Sequence, residues 1–134
     1  RHPAAELLRR GGAVALGTDS RASNPDLDMW SEMRFAAEQH PDLRPADVLR
    51  MGTLGGAQAL GRADDVGSLD AGKRADLTIV AAEFGVSIDD EQSLFTAADA
   101  RVVATVIDGV ARYVDDDWSD SLAADAQKFF TART

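Results

Sequence analysis

The chain has 134 residues, with 14 Lys and Arg against 23 Asp and Glu, a formal charge of −9, and no Cys. That length suits a domain with a real core, and 45% hydrophobic with 28% charged residues argues against a disordered or fibrous chain. The acidic balance, with no basic cluster denser than Arg9-Arg10 or Lys73-Arg74, gives no footprint for nucleic acid or an anionic membrane. The missing Cys excludes disulfides and thiol nucleophiles, and no apolar run is long enough to cross a bilayer.

In chain order, residues 2–11 predict a short helix with Pro3 near its start, Arg9 and Arg10 in its last turn and Gly11 as its stop. Ala13-Val-Ala-Leu-Gly17 is an unbroken apolar run, the pattern of a strand covered on both faces in a parallel α/β sheet. Thr18-Asp19-Ser20 follows directly, placing polar side chains just past a strand's carboxyl end. Asn24-Pro25-Asp26 predicts a helix start with Asn24 as N-cap, running to about Gln39 with Leu27, Trp30, Met33 and Ala37 on one face.

Residues 45–60 predict one further helix, with Val48 and Leu49 inward. Its three glycines, Gly52, Gly55 and Gly56, together cost about 3 kcal/mol of helix propensity relative to Ala, so a close backbone neighbour has to compensate. From Gly61 the texture becomes turn-rich. Strands are predicted at 77–80, 101–107 and 110–114, the last two joined by Asp108-Gly109, the pair preferred in a type I′ hairpin turn. A helical turn is expected around Ser93-Leu94-Phe95, and residues 119–133 predict a terminal helix carrying Leu122, Ala126, Phe129 and Phe130 on one face.

One buried strand cannot make a sheet, and three strands are few for a sandwich. Together with a start at Arg1 rather than Met, this suggests a fragment whose neighbours lie upstream.

Four motifs then acquire meaning together: Val14-Ala-Leu-Gly-Thr-Asp-Ser20, Ser23-Asn-Pro-Asp-Leu-Asp-Met-Trp-Ser-Glu-Met-Arg34, Val48-Leu-Arg-Met-Gly-Thr-Leu-Gly-Gly-Ala-Gln-Ala-Leu-Gly61 and Gly67-Ser-Leu-Asp-Ala-Gly-Lys-Arg-Ala-Asp-Leu77. In this order they resemble the carboxyl-terminal third of the metal-dependent amidohydrolase superfamily, nearest the cytosine-deaminase and chlorohydrolase branch. The resemblance implies an α/β fold: the end of a (β/α)₈ TIM barrel followed by the carboxyl-terminal part of a small composite β-sandwich. Residues 1–61 then hold the last barrel elements, with 13–17 as the eighth strand, 62–115 belong to the sandwich, and 116–134 form a terminal helix.

The same resemblance makes Asp19 the catalytic residue, a ligand or close neighbour of one divalent metal and a proton shuttle. Zinc is the expected metal, with iron, manganese and nickel as alternatives. A metal-bound water has its pKa lowered toward neutrality, and an adjacent carboxylate can take its proton and return it to the leaving nitrogen. Read locally, Asp19 also fits a cap on a turn. His2 and Ser20 are candidate substrate contacts and Ser23 could also face the pocket, with helix capping for His2 and loop hydrogen bonding for both serines as the plainer alternatives; Asn24 fits an N-cap.

The other metal ligands of such enzymes, a His-x-His and further His and acidic residues, are missing, and one Asp cannot hold a catalytic zinc, so the chain alone is expected to be inactive. His40 reads as a helix end, Trp30, Met29 and Met33 as core, Lys73-Arg74 as ion-paired turn, and Asp115-Asp116-Asp117 as a solvated acidic turn without EF-hand spacing.

The implied whole is a cytoplasmic aminohydrolase acting on a purine, pyrimidine or related ring. Its expected partners are a small-molecule substrate, the upstream part of the same protein and further copies in a homo-oligomer. A chlorohydrolase or cyclic-amide hydrolase is the alternative chemistry, and a non-catalytic remnant or assembly module the alternative class.

Overall fold

A computed structural model describes residues 3–23, 26–82 and 90–118. Five short helices come with one three-stranded sheet: α1 (Ala4–Arg9), α2 (Met29–Gln39), α3 (Pro45–Gly52), α4 (Leu54–Ala59), β1 (Leu77–Ala81), α5 (Glu91–Thr96), β2 (Arg101–Ile107) and β3 (Val110–Val114). The expected terminal helix at 119–133 lies outside the described residues.

Helix α1 stops where its sequence predicts, with Gly11 at φ +78° and the Arg9 and Arg10 guanidiniums folded back onto Glu6. Helix α2 starts later than expected. Its N-cap is Asp28, whose carboxylate accepts from the Trp30 N–H at 2.9 Å; Asn24 and Pro25 lie outside the described residues. Leu27, expected on the buried face, precedes the helix at φ 49° and is exposed, whereas Trp30, Met33 and Ala36 are buried.

The single helix expected over 45–60 is two helices. Thr53, at φ −127° and ψ −100°, caps α3 and opens α4, and its hydroxyl donates to the Leu49 carbonyl at 2.7 Å. Periodicity alone hides the break because the apolar pattern continues across it. Of the glycines around the break, Gly52 and Gly55 meet close neighbours and Gly56 has only an ordinary contact, 3.9 Å from the Met51 carbonyl oxygen; Gly67 further on is also crowded. A Cβ on Gly55 would lie 2.9 Å from the Val14 carbonyl oxygen, Gly52 faces the Met33 thioether, and a Cβ on Gly67 would lie 2.6 Å from Ala57 Cβ.

Residues 13–17, expected as a strand covered on both faces, form no strand among the described residues, and Ala13, Ala15 and Gly17 are exposed. A ladder needs a second edge; what holds this segment here is the Leu16 N–H donated to the Met51 carbonyl at 3.0 Å and the contact at Gly55.

The sheet matches its sequence signals closely. Its order is β1-β2-β3, antiparallel throughout, with bulges at Ile79/Val80 and Thr105/Val106. Asp108 (φ 54°) and Gly109 (φ 76°) both take the positive φ that a type I′ turn demands. The turn is tethered: the Asp108 N–H donates to Asp76 Oδ1 at 2.7 Å, the Gly109 N–H to the Ala75 carbonyl at 2.9 Å, and Arg74 Nε lies 3.3 Å from Asp108 Oδ1. Lys73 makes the expected ion pair, its Nζ 3.7 Å from Asp70 Oδ2, but is itself largely covered (14% exposed). Its ammonium donates to the Ala63 carbonyl at 2.5 Å and to Ser68 Oγ at 2.6 Å, stapling the turn that leads into the sheet.

The main core joins Ala4 and Ala5 of α1, Trp30 and Met33 of α2, Val48 and Met51 of α3, and Phe95 of α5, with Val48 fully buried. Trp30 and Phe95 stack with ring centroids 5.6 Å apart and planes at 21°.

Two glycines test this packing. Gly67 and Gly72 both sit near φ +90°, but only Gly67 has close neighbours. Replacing Gly72 with Ala should cost about 1 kcal/mol for the backbone conformation. The same change at Gly67 adds an overpacking cost of about 1–3 kcal/mol. Urea unfolding midpoints check this; equal midpoints for the two variants would contradict the close approach of α4 to the 66–68 turn.

Candidate active-site loop

The polar residues after the 13–17 segment form a compact loop. The Ser23 N–H donates to the Ser20 carbonyl at 3.0 Å, closing a turn over residues 20–23. The Ser23 hydroxyl is thereby brought to 2.8 Å from Asp19 Oδ2, with the Ser20 carbonyl a longer 3.3 Å away.

Asp19 is exposed, and its pKa lies below the ordinary carboxylate value. The Ser23 hydroxyl is the main cause, the Ser20 backbone N–H the second, and slight desolvation opposes both. Each donor stabilises the charged form. The result is an accessible carboxylate held ionised and oriented, able to accept a proton or to offer an oxygen to a cation.

The other candidates differ. Ser20 contributes its backbone: the carbonyl closes the turn and the N–H supports Asp19. His2 lies outside the described residues. His40 is the C-cap of α2, its N–H donating to the Ala36 carbonyl at 3.1 Å, a structural place in keeping with its sequence reading. Ser23 is the residue whose role is larger than local sequence suggested. Its signal was the i, i+4 spacing from Asp19 across a turn, which is readable only once the turn is known.

Among the described residues, no group of three His, Cys, Asp or Glu side chains is placed to hold a metal ion. A catalytic zinc takes three protein ligands and an open position, so these residues do not make such a site by themselves. Near the acidic turn, Arg101 Nη2 lies 3.6 Å from Asp115 Oδ1 and 3.9 Å from Asp117 Oδ2, an ion-paired arrangement and not a calcium loop. A groove of about 630 Å³ between α1 and α3 is lined by Arg9, Arg44, Asp42, Asp47 and Arg50; Arg44 and Asp47 pair within it at 2.6 and 2.7 Å. Among the described residues, no helix is long and apolar enough to cross a membrane.

The family model described as "Amidohydrolase family" matches residues 1–112. A 5-methylthioadenosine/S-adenosylhomocysteine deaminase of Syntrophobacter fumaroxidans is 48% identical over 85 residues, which make up 58% of this chain and 19% of that protein. Among solved structures, an adenosine deaminase from Xanthomonas campestris with bound zinc superposes with a TM-score of 0.71 at 35% identity, covering 97% of this chain and 33% of the other. The atrazine chlorohydrolase of Arthrobacter aurescens, complexed with zinc, gives a TM-score of 0.69 at 28% identity, covering 84% and 28%. The matched region therefore spans a third or less of each of these proteins.

The Asp19 loop makes a titration prediction. Because the folded pKa is lowered, the Asp19–Ser23 contact supports the loop above the unfolded carboxylate pKa and is lost as pH falls through the folded pKa. Ser23→Ala should move the Asp19 titration, followed by carboxyl carbon NMR, upward toward the ordinary value. An unmoved titration would show that the hydroxyl does not set it.

Proposed function

The chain belongs to the amidohydrolase family, and on that premise we propose that it contributes the Asp19 end of a metal-dependent aminohydrolase that removes an exocyclic amine from a purine ring of the adenosine type. The observation that carries the reading is the oriented, ionised and accessible carboxylate of Asp19, at the end of a segment seated on α3 and α4. Family membership and deaminase-named relatives support the reaction class.

In this reading residues 1–61 supply the last elements of a barrel, with 13–17 as a strand of its wall, and residues 62–115 supply part of a small β-domain. A divalent metal belongs to it as well, zinc on the example of the two solved neighbours, with Asp19 as one oxygen donor and the other ligands outside the described residues.

What this chain does chemically is move a proton. An Asp19 carboxylate oxygen accepts a proton from the water whose oxygen bonds to the ring carbon. The same carboxyl then donates it to the amino nitrogen as the C–N bond breaks and ammonia leaves. Keeping Asp19 ionised in the resting state readies it for the first transfer, and the exposure that leaves it open to water leaves it open to substrate. Ser20, next to Asp19 in the chain, and His2, which lies outside the described residues, are the candidates for substrate contacts. The atrazine chlorohydrolase neighbour favours one second reading, in which the leaving group is chloride.

The test uses full-length protein carrying these residues, loaded with zinc. It should release ammonia from adenosine or 5′-substituted adenosines, and Asp19→Asn should lower kcat about 10²–10⁴-fold with its circular dichroism unchanged. Near-normal turnover by the variant would remove the shuttle role. Faster chloride release from a chlorinated triazine than ammonia release from adenosine would favour the second reading. Inactivity with the full ligand set in place would favour a non-catalytic scaffold.

A further inference from the structure

The Asp19 loop is bounded by two anchors. Upstream, the Leu16 N–H is fixed on the Met51 carbonyl at 3.0 Å. Downstream, the chain enters α2 at the Asp28 cap, and two residues later Trp30 is clasped from the far side of the sequence. The Trp30 indole Nε1 donates to the Ala100 carbonyl at 3.1 Å, a buried bond spanning 70 positions. One turn further along α2, Arg34 Nη1 donates to the same carbonyl at 3.2 Å, and Nη2 reaches the Ala98 carbonyl at 3.5 Å. Both lone pairs of the Ala100 carbonyl are therefore used. Phe95 of α5 closes the clasp by stacking on the Trp30 ring.

The chemistry is unusual for a packing contact alone. Arg34 has a planar fork of donors suited to carboxylates, yet the bonds drawn here commit it to two main-chain carbonyls. Trp30 supplies a buried indole N–H that burial obliges to find an acceptor. A helix held only by apolar contact can slide or rotate by small amounts. Two directional bonds to one fixed carbonyl, from successive turns, determine both its rotation and its axial position. The acceptor belongs to the turn between α5 and β2, so the reference point for α2 is the β-unit.

We infer that the 90–100 segment is a strap that sets the position of the Asp19 loop, with Trp30 and Arg34 as positioning residues acting through the first two turns of α2. The inference rests on the proposed role of Asp19 for its catalytic consequence, but not for its structural one.

Two measurements separate those levels, both on the full-length, zinc-loaded protein. Trp30→Phe keeps the stack and loses the N–H; Arg34→Lys keeps the charge and loses the fork. Amide hydrogen exchange is expected to rise in residues 18–23 and 26–31 of both variants, with little change in β2 and β3. Unchanged exchange in the loop overturns the strap, whatever the activity. In ammonia release, kcat should fall about 10-fold with KM within twofold, the signature of a misplaced group and not of lost binding. Placed on Asp19→Asn, neither substitution should lower the residual rate further; an additive loss would show a general structural role and overturn the positioning claim. Faster loop exchange combined with full turnover by Asp19→Asn would sink the reading of Asp19 and leave the strap standing.

Discussion

The structure depends on three places where a glycine lets neighbouring parts of the chain come closer than a Cβ would allow without something shifting. Gly52 lies against the Met33 thioether, Gly55 against the carbonyl of Val14, and Gly67 against Ala57 and the start of α4. Each is a different partner: a helix, the segment leading to Asp19, and the turn leading to the sheet. The α3–α4 elbow at Thr53 is thus a junction, and the absence of Cβ atoms lets three parts of the chain converge on it. Of the three glycines that forfeit helix propensity, about 1 kcal/mol each, Gly52 and Gly55 make close contacts of this kind, whereas Gly56 has only an ordinary one, 3.9 Å from the Met51 carbonyl oxygen. The elbow also explains how a segment without a ladder is held in place, since it rests on main-chain atoms of α3 and α4.

From that junction the division of labour follows. The rigid parts are helical and buried, with Val48 at their centre, while Asp19 is displayed on a short loop stiffened by its own turn. Asp19 thereby combines exposure with an orientation set by the Ser23 hydroxyl. Among the described residues this carboxylate stands without a complete metal sphere, in a segment that spans a third or less of the proteins it resembles.

The β-unit was legible because its signals are local. Runs of β-branched residues gave β1, β2 and β3, and Asp108-Gly109 gave the hairpin turn with both positive φ values. The family resemblance was legible for a different reason, through four motifs in order, and the family match over residues 1–112 agrees with it. What failed involved competition or partners. Asn24-Pro25-Asp26 carries a helix-start pattern, yet the cap that opens α2 is Asp28, four residues on. The break at Thr53 hides inside an uninterrupted apolar pattern. A strand is defined by its neighbour, so an apolar run at 13–17 cannot by itself show a ladder, and none forms there among the described residues. At the site, Asp19 stands out through the resemblance, its place after that run fitting a turn cap equally well, whereas its contact with Ser23 needed the turn. Trp30 read correctly as core, but the carbonyl it serves belongs to an alanine and has no signature in the sequence.

The tethered hairpin has a consequence for how the sheet keeps its alignment. Strands of alternating apolar residues can shift by two positions without turning their faces over, and hairpins of low side-chain diversity are prone to such slippage. Here the turn is bound to residues 74–76, directly ahead of β1, through a carboxylate, a carbonyl and an ion pair. A two-residue shift of the β2–β3 hairpin along β1 would break all three at once. Asp76 therefore acts as an index mark: it fixes which residue of β2 stands opposite each residue of β1. That alignment also fixes where Ala100, immediately before β2, presents its carbonyl to α2.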